Sequence, residues 1–355
     1  MAHIFKNPTL DNKGIIVFTH KEWPWLLENA QQTLLNLRQY FYLGWNQGTY
    51  FGNQPANLPP IIDFTLASPT ALKYPDNGST QKIDLMDRNF LLSDYENMGI
   101  KDRFYDIISI SRAIKIKNVP SLLQAVRKLN DKKIYPKTLI IIPVSEMEAD
   151  IPEKYDLDIV KQYEELFNYE ERKNITLLRL SPELGFMGIS PQTINWLYNN
   201  SKVLYIGSKS EGGCRVTHEA LLCGCNIVYY KYHQGPMLDY LNSSNSVPFN
   251  DYNTIDEALE KAYSKYSYNE PQTLKFEELL SERHALKKLT PHFNKLYKKN
   301  NQVFDGKLIN CDNLSNRLPA HHIEVPWHDD EFPTADILSI ERLTKFITYL
   351  NEQTH

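Results

Sequence analysis

Residues 208–230, SKSEGGCRVTHEALLCGCNIVYY, set two glutamates eight positions apart, Glu211 and Glu219, with a glycine pair directly after the first. The run KVLYIGS just before reads as a strand, RVTHEALLCG as a helix closed by Gly224, and CNIVYYK as a second strand. The loop that carries Glu211 therefore joins the carboxyl end of a strand to the start of a helix. Free N–H groups and the positive end of the helix dipole favour an anion there. Gly212 and Gly213 let phosphates approach the backbone closely. Eight residues of helix rise about 12 Å, so the two carboxylates can flank a diphosphate and accept hydrogen bonds from hydroxyls on either side. A nucleotide-sugar has that shape.

The same alternation extends outward. Residues 105–111 (YDIISIS), 137–144 (KTLIIIPV) and 175–180 (ITLLRL) read as strands, the second apolar enough to be covered on both faces. Residues 119–130 place Leu122, Val126 and Leu129 on one helical face, with Pro120 in the first turn. Residues 157–171 and 254–266 read as further helices, and Ser190 as the N-cap of another that begins with Pro191. Such a series predicts a parallel, doubly wound sheet with ligands at the carboxyl ends of its strands. Upstream, residues 14–20 (GIIVFTH) read as a buried strand and 23–41 as one helix. Residues 44–81, rich in Gly, Pro, Asn and Ser, read as loop interrupted by a strand at 61–67 (IIDFTLA).

A chain of 355 residues, 42% hydrophobic, has room for two ordinary domains. A net charge of −4 and a pI near 6.2 do not favour a nucleic-acid binder. No apolar run reaches the roughly 18 residues of a membrane span. The start, MAHIFKNPTLDNKG, lacks the apolar core of a signal peptide. The expected location is cytoplasmic, with peripheral contact at the inner membrane face left open, although no strongly basic amphipathic helix is legible to support it. Four cysteines, three of them clustered, are too few for a disulfide framework.

The segment EGGCRVTHEALLCGCNIV resembles the E-x7-E region of retaining glycosyltransferases of GT-B fold, family 4 type, also grouped as glycosyl transferases group 1. Glu211 and Glu219 fall on that family's two glutamates. ISISRAIKIKNVPSLLQAVRKL is similar to the stretch that opens its nucleotide-binding domain, with Arg112 and Lys117 in the places of the basic pair. Cys214, Asn226 and Ser111 depart from the family's usual residues. The resemblance covers roughly residues 104–265. It implies an α/β protein of GT-B type, two Rossmann-like domains facing a cleft, the N-terminal one reduced. The expected boundaries are residues 1–103 for the acceptor-side domain, 104–290 for the nucleotide-sugar domain, and 291–355 for an extension packing back on the first.

The implied activity is transfer of a sugar from a nucleotide-diphosphate donor to a hydroxyl of a glycan or glycoconjugate, with retention and by front-face attack. Arg112 and Lys117 would offset the diphosphate. Glu211 would orient the donor sugar. Gly212, Gly213, Cys214 and Arg215 would face the diphosphate from the helix start, Glu219 would bind the ribose, and Gly235 would be a further donor contact. No metal or cofactor is expected, since the basic groups supply the neutralising charge. A nucleotide-sugar hydrolase or epimerase, or a silent nucleotide-sugar-binding protein, remains the alternative. A dinucleotide oxidoreductase is disfavoured because no G-x-G-x-x-G follows the first strand.

Several features admit two readings. His20, at the end of the first strand, is a candidate for acceptor binding or catalysis, or a structural histidine. Cys214, His218, Cys223 and Cys225 are either zinc ligands or packing residues, with packing favoured. HHIEVPWHDDE, residues 321–331, is a metal site or a polar loop. Trp23, Trp25, Trp45 and Trp327 either stack on acceptor sugars or sit in the core. The apolar stretch ILSIERLTKFITYLNEQ is a candidate for a closing helix.

Overall fold

The computed structural model describes residues 2–9, 11–19, 22–46, 60–67, 81–85, 95–143, 155–180, 189–211, 214–234, 238, 240–280, 282–308, 348 and 351–352. His20, Gly212, Gly213, Gly235, Trp327, residues 321–331 and most of the candidate closing helix lie outside them. The chain divides into two units. One is Met1–Leu92 with Leu279–His355; the other is Ser93–Glu278.

The first unit is built on β1 (Ala2–Lys6), β2 (Gly14–Thr19), α1 (Glu22–Asn29), α2 (Gln31–Tyr40), β3 (Phe41–Asn46), β4 (Phe64–Ala67) and β5 (Gln81–Asp84). Its strands lie in chain order, with β1 antiparallel to β2 and the rest parallel. Successive residues of β2 face opposite sides. Ile16 and Phe18 join Leu34, Leu37 and Trp45 on one side. Ile15 and Val17 join Phe64, Phe293 and Tyr297 on the other. Trp45 is therefore core rather than a sugar platform. The single helix expected over residues 23–41 is broken at Ala30, whose backbone is not helical (φ −137°, ψ 30°), and gives way to β3 at Phe41.

The second unit runs β6 (Tyr105–Ile110), α3 (Val119–Asp131), β7 (Thr138–Pro143), α4 (Tyr155–Leu166), α5 (Tyr169–Arg172), β8 (Ile175–Leu180), α6 (Pro191–Asn199), β9 (Ser201–Ile206), α7 (Arg215–Leu222), β10 (Asn226–Tyr230), β11 (Ser246–Phe249), α8 (Ile255–Ser264) and α9 (Glu270–Leu280). Every pairing is parallel, and the strand order is β11-β10-β9-β6-β7-β8. This is the doubly wound Rossmann order, which reverses direction between β6 and β9. One face of the sheet buries Ile107, Ile140, Val203 and Val228 with Leu122, Val126 and Leu259 of α3 and α8. The capping box of Asn168 and Glu171 starts a separate α5 where one continuous helix is expected.

Arg103 ties the ends of α6 and α7 together. Its buried guanidinium donates to the carbonyls of Tyr198 (3.1 Å), Ser201 (2.7 Å) and Cys223 (2.7 Å), between the rings of Tyr266 and Tyr268. Gly224, with φ +81°, ends α7 as its sequence position predicts. Residues ahead of β6 also belong to this unit: Met98 N donates to Asn199 Oδ1 at 2.8 Å and Glu96 N to Asn195 Oδ1 at 3.1 Å. The unit boundaries thus lie at 92/93 and 278/279, where the sequence places them at 103/104 and 290/291.

A further helix, α10 (Glu282–Lys299), belongs to the first unit. Ala285, Leu289, Phe293, Leu296 and Tyr297 form its buried face, with Phe293 edge-on to Phe64 at 5.2 Å. Lys287, Lys295, Lys298 and Lys299 are exposed, so α10 is a basic amphipathic helix that the sequence reading does not detect. Among the described residues no helix is long and apolar enough to cross a membrane. Phe293→Ala is expected to destabilise the first unit by about 3–5 kcal/mol, read as an earlier urea transition. An unchanged transition would show that the helix is not part of that core.

Candidate functional site

The reversal of strand order brings two loops together. After β6 the chain passes Ser111 and Arg112, makes a 3-10 turn at Lys115–Lys117, and enters α3 through Asn118 in the left-handed region (φ 51°). Pro120 lies in the first turn of α3, as predicted. After β9 the chain passes Gly207 and Ser208 to Glu211, then enters α7 through Cys214. Lys117 Nζ and Glu211 Oε1 meet at 2.7 Å, with both side chains largely buried. Ser208 Oγ also donates to Glu211 Oε1. Burial pushes the Glu211 carboxyl up, but the Lys117 charge, its hydrogen bond and the Ser208 hydroxyl outweigh it, and the group titrates below the usual glutamate value.

A small crevice opens at this point, lined by Ser109, Ser111, Lys117, Tyr205, Glu211 and Val216. The close approach depends on Gly207. A Cβ there would lie 2.6 Å from Tyr205 Oη and 2.8 Å from the Lys117 carbonyl oxygen. Tyr252 Oη donates to the Gly207 carbonyl at 2.9 Å.

The second glutamate is in a different environment. Glu219 lies on α7, 3% exposed. Its Oε1 pairs with Arg215 Nε at 3.0 Å, one turn earlier, and Tyr198 Oη donates to Oε2 at 3.5 Å. Burial raises its carboxyl above the usual range, opposed by Arg215, Tyr198 and Tyr95. Glu219 does not line the crevice. The sequence-predicted residues therefore form two buried pairs, Lys117 with Glu211 and Arg215 with Glu219.

Three of the four residues weighed as zinc ligands have side chains engaged elsewhere. Cys223 Sγ donates to Asn195 Oδ1 (3.0 Å), Cys225 Sγ to the Tyr198 carbonyl (3.1 Å), and His218 Nδ1 bonds the Cys214 carbonyl (3.0 Å). Burial pushes the Cys225 thiol up to about 11, against the pull of Arg103. Among the described residues no three His, Cys, Asp or Glu side chains converge as a metal site would need. Three residues of the site carry no clear sequence signal: Tyr205 and Ser208, which read as ordinary strand and loop, and His233, which reads only as a neighbour of Gly235.

Fold and site together place the chain among α/β proteins of the GT-B class, with a Rossmann-type sheet carrying a cation–carboxylate pair at its switch point. Residues 94–275 match the family model of glycosyl transferases group 1, and the chain belongs to that family. Similar solved structures include the pneumococcal O-GlcNAc transferase GtfA in complex with UDP and GlcNAc (14% identity, 76% of this chain and 55% of that chain, TM-score 0.51). A second is the sucrose-phosphate synthase of Thermosynechococcus elongatus (13% identity, 80% and 74%, TM-score 0.53). A third is a UDP-forming α,α-trehalose-phosphate synthase from Burkholderia xenovorans in complex with glucose-6-phosphate (13%, 74% and 70%, TM-score 0.52). These likenesses show the fold, and the chain spans about 55% of the GtfA chain. No curated protein matches the chain.

Removing Lys117 leaves a buried carboxylate without its cation. Lys117→Met is expected to cost about 3 kcal/mol at pH 7. The wild-type Glu211 carboxyl titrates below its unfolded value, so its contribution is present above the unfolded pKa and is lost as pH falls through the folded one. The deficit of the variant should therefore shrink towards pH 4 in paired thermal melts. A deficit that stays constant with pH would argue against the pair as the source.

Proposed function

We propose that this protein is a glycosyltransferase that moves a sugar from a nucleotide-diphosphate donor to a hydroxyl of a carbohydrate or glycoconjugate acceptor, with retention at the anomeric carbon. The observation that carries this reading is the Lys117–Glu211 pair at the β6/β9 switch point, where a doubly wound sheet presents its ligand crevice. Lys117 and Arg112 lie on the loop after β6 and take the diphosphate, the guanidinium in bidentate fashion. The start of α7 adds its dipole. The bond from the anomeric carbon to the leaving oxygen breaks as the acceptor oxygen bonds on the same face, the acceptor's proton passes to the departing diphosphate, and the basic groups stabilise the remaining charge. These cations supply the neutralisation, so the reading requires no metal.

Glu211, ionised beside Lys117, orients the donor sugar and supports positive charge on its ring. Glu219 with Arg215 takes the nucleotide ribose. No covalent nucleophile is assigned. Because GtfA is seen with UDP and the Burkholderia synthase is UDP-forming, UDP-sugars are the first donors to test. Calorimetry against UDP-glucose, UDP-GlcNAc, GDP-mannose and ADP-glucose should find one that binds. NMR of the product formed with an acceptor should show the donor's anomeric configuration kept. Arg112→Ala is expected to lower kcat about 100-fold or more, and Glu219→Gln to weaken donor binding about tenfold. Nucleotide release that no acceptor accelerates would point to a hydrolase, and wild-type rates in both variants would remove the site assignment.

A further inference from the structure

His233 lies three residues beyond the end of β10 and is 4% exposed. Its Nδ1 contacts the backbone carbonyl of Ser208 at 2.9 Å. A carbonyl only accepts, so Nδ1 carries the proton, and Nε2 of the neutral ring is an acceptor. That Nε2 is buried without a hydrogen-bond partner among the described residues. Ser208 joins two separate contacts: its backbone carbonyl accepts from His233, its side-chain hydroxyl donates to Glu211 Oε1, and Glu211 holds Lys117. A continuous chain of contacts thus runs His233–Ser208–Glu211–Lys117.

The backbone reinforces it. Gln234 N donates to the Lys209 carbonyl (2.9 Å) and Glu211 N to the Gln234 carbonyl (3.1 Å), so the β9–β10 pairing resumes past both strand ends at the Ser210–Gln234 bridge. Those main-chain bonds need no particular side chain at 233. Leaving a ring nitrogen buried and unsatisfied is costly, a cost a small apolar residue would avoid.

We propose that His233 is a positioning residue that, through Ser208, holds the Glu211 carboxylate against Lys117, and that the neutral imidazole is its working form. The charged groups that face it are Glu211, from the loop after β9, and Lys117, from the loop after β6. Burial, helped by Lys117, keeps His233 below the ordinary histidine value, against the opposing pull of the Ser208 carbonyl and Glu211. Protonation turns Nε2 into a second donor and sets a new cation beside Lys117, competing for the same carboxylate. The catalytic consequence rests on the donor-binding reading above; the placement of Glu211 does not.

The test compares His233→Asn, whose amide can donate from the δ position to Ser208, with His233→Ala and with His233→Gln, which lacks a δ donor. Without any donor, ¹³C NMR should show the Glu211 carboxyl titrating low in the wild type and the Asn variant. In the Ala or Gln variant it should move up by about one pH unit or more. With the donor found by calorimetry, His233→Ala should lower kcat about tenfold at near-constant donor KM. His233→Asn should recover kcat to within about threefold and lose the wild-type acid limb below about pH 6.5. An unchanged Glu211 titration in both the Ala and Gln variants, or an acid limb that persists in the Asn variant, would overturn the proposal. A wild type that binds no donor would defeat the donor reading, while the carboxyl titration would still decide the role of His233.

Discussion

A carboxylate buried where a parallel sheet changes direction has to be neutralised locally, and at Glu211 that task falls to Lys117. The requirement fixes much around it. The loop after β6 must turn tightly enough for Lys117 to face β9, which Asn118 achieves through a left-handed backbone (φ 51°). The loop after β9 must lie against the Lys117 carbonyl, which leaves room only for glycine at 207. An ammonium has three donors, so Lys117 can keep Glu211 and still present N–H groups to an incoming phosphate. The pair is neutral as it stands. In the proposed reading, a diphosphate bound there draws its further neutralising charge from Arg112 and the start of α7.

The two glutamates illustrate how environment separates identical side chains. Both are buried, yet the cation and hydroxyl beside Glu211 hold it low, whereas burial dominates at Glu219 and raises it. Carboxylates pushed in opposite directions are suited to different work. In the proposed reading, Glu211 supports positive charge on the donor's sugar ring. Glu219 is held by Arg215 and Tyr198, and in the same reading it meets the ribose hydroxyls. Arg103 contributes at one remove, since it clamps the Cys223 carbonyl at the far end of α7 and so sets the axis along which Arg215 and Glu219 project.

Legibility in the sequence followed burial. Central strands such as β7 are apolar along nearly their whole length because both faces are covered, and they are readable from composition. Edge strands are not. β11 contains Pro248, which argues against a strand, yet among the described residues it pairs only with β10, where a missing N–H is tolerated. β5, Gln-Lys-Ile-Asp, is a polar edge that among the described residues pairs only with β4. β3 was obscured because a helical pattern runs straight into Phe41, and Gly44 and Asn46 resemble a turn. At the site, Lys117, Glu211 and Glu219 were legible because charge next to a strand end is conspicuous. That the two glutamates would take separate cationic partners was not, since i to i+4 spacing from Arg215 to Glu219 reads equally well as a solvated helix face.

The strap formed by residues 233 and 234 shows why a motif alone underdetermines its own geometry. Residues 208–211 have no regular secondary structure of their own, and a loop of that kind can take many conformations. What selects one is a segment more than twenty residues later, which resumes sheet-like pairing at Ser210–Gln234 and supplies an imidazole to the Ser208 carbonyl. The carboxylate is thereby fixed from two sides, by Lys117 from the neighbouring loop and by Ser208 from its own. In the proposed sugar transfer, fixing from both sides matters because stabilisation of a developing charge depends on groups already oriented before the bond breaks.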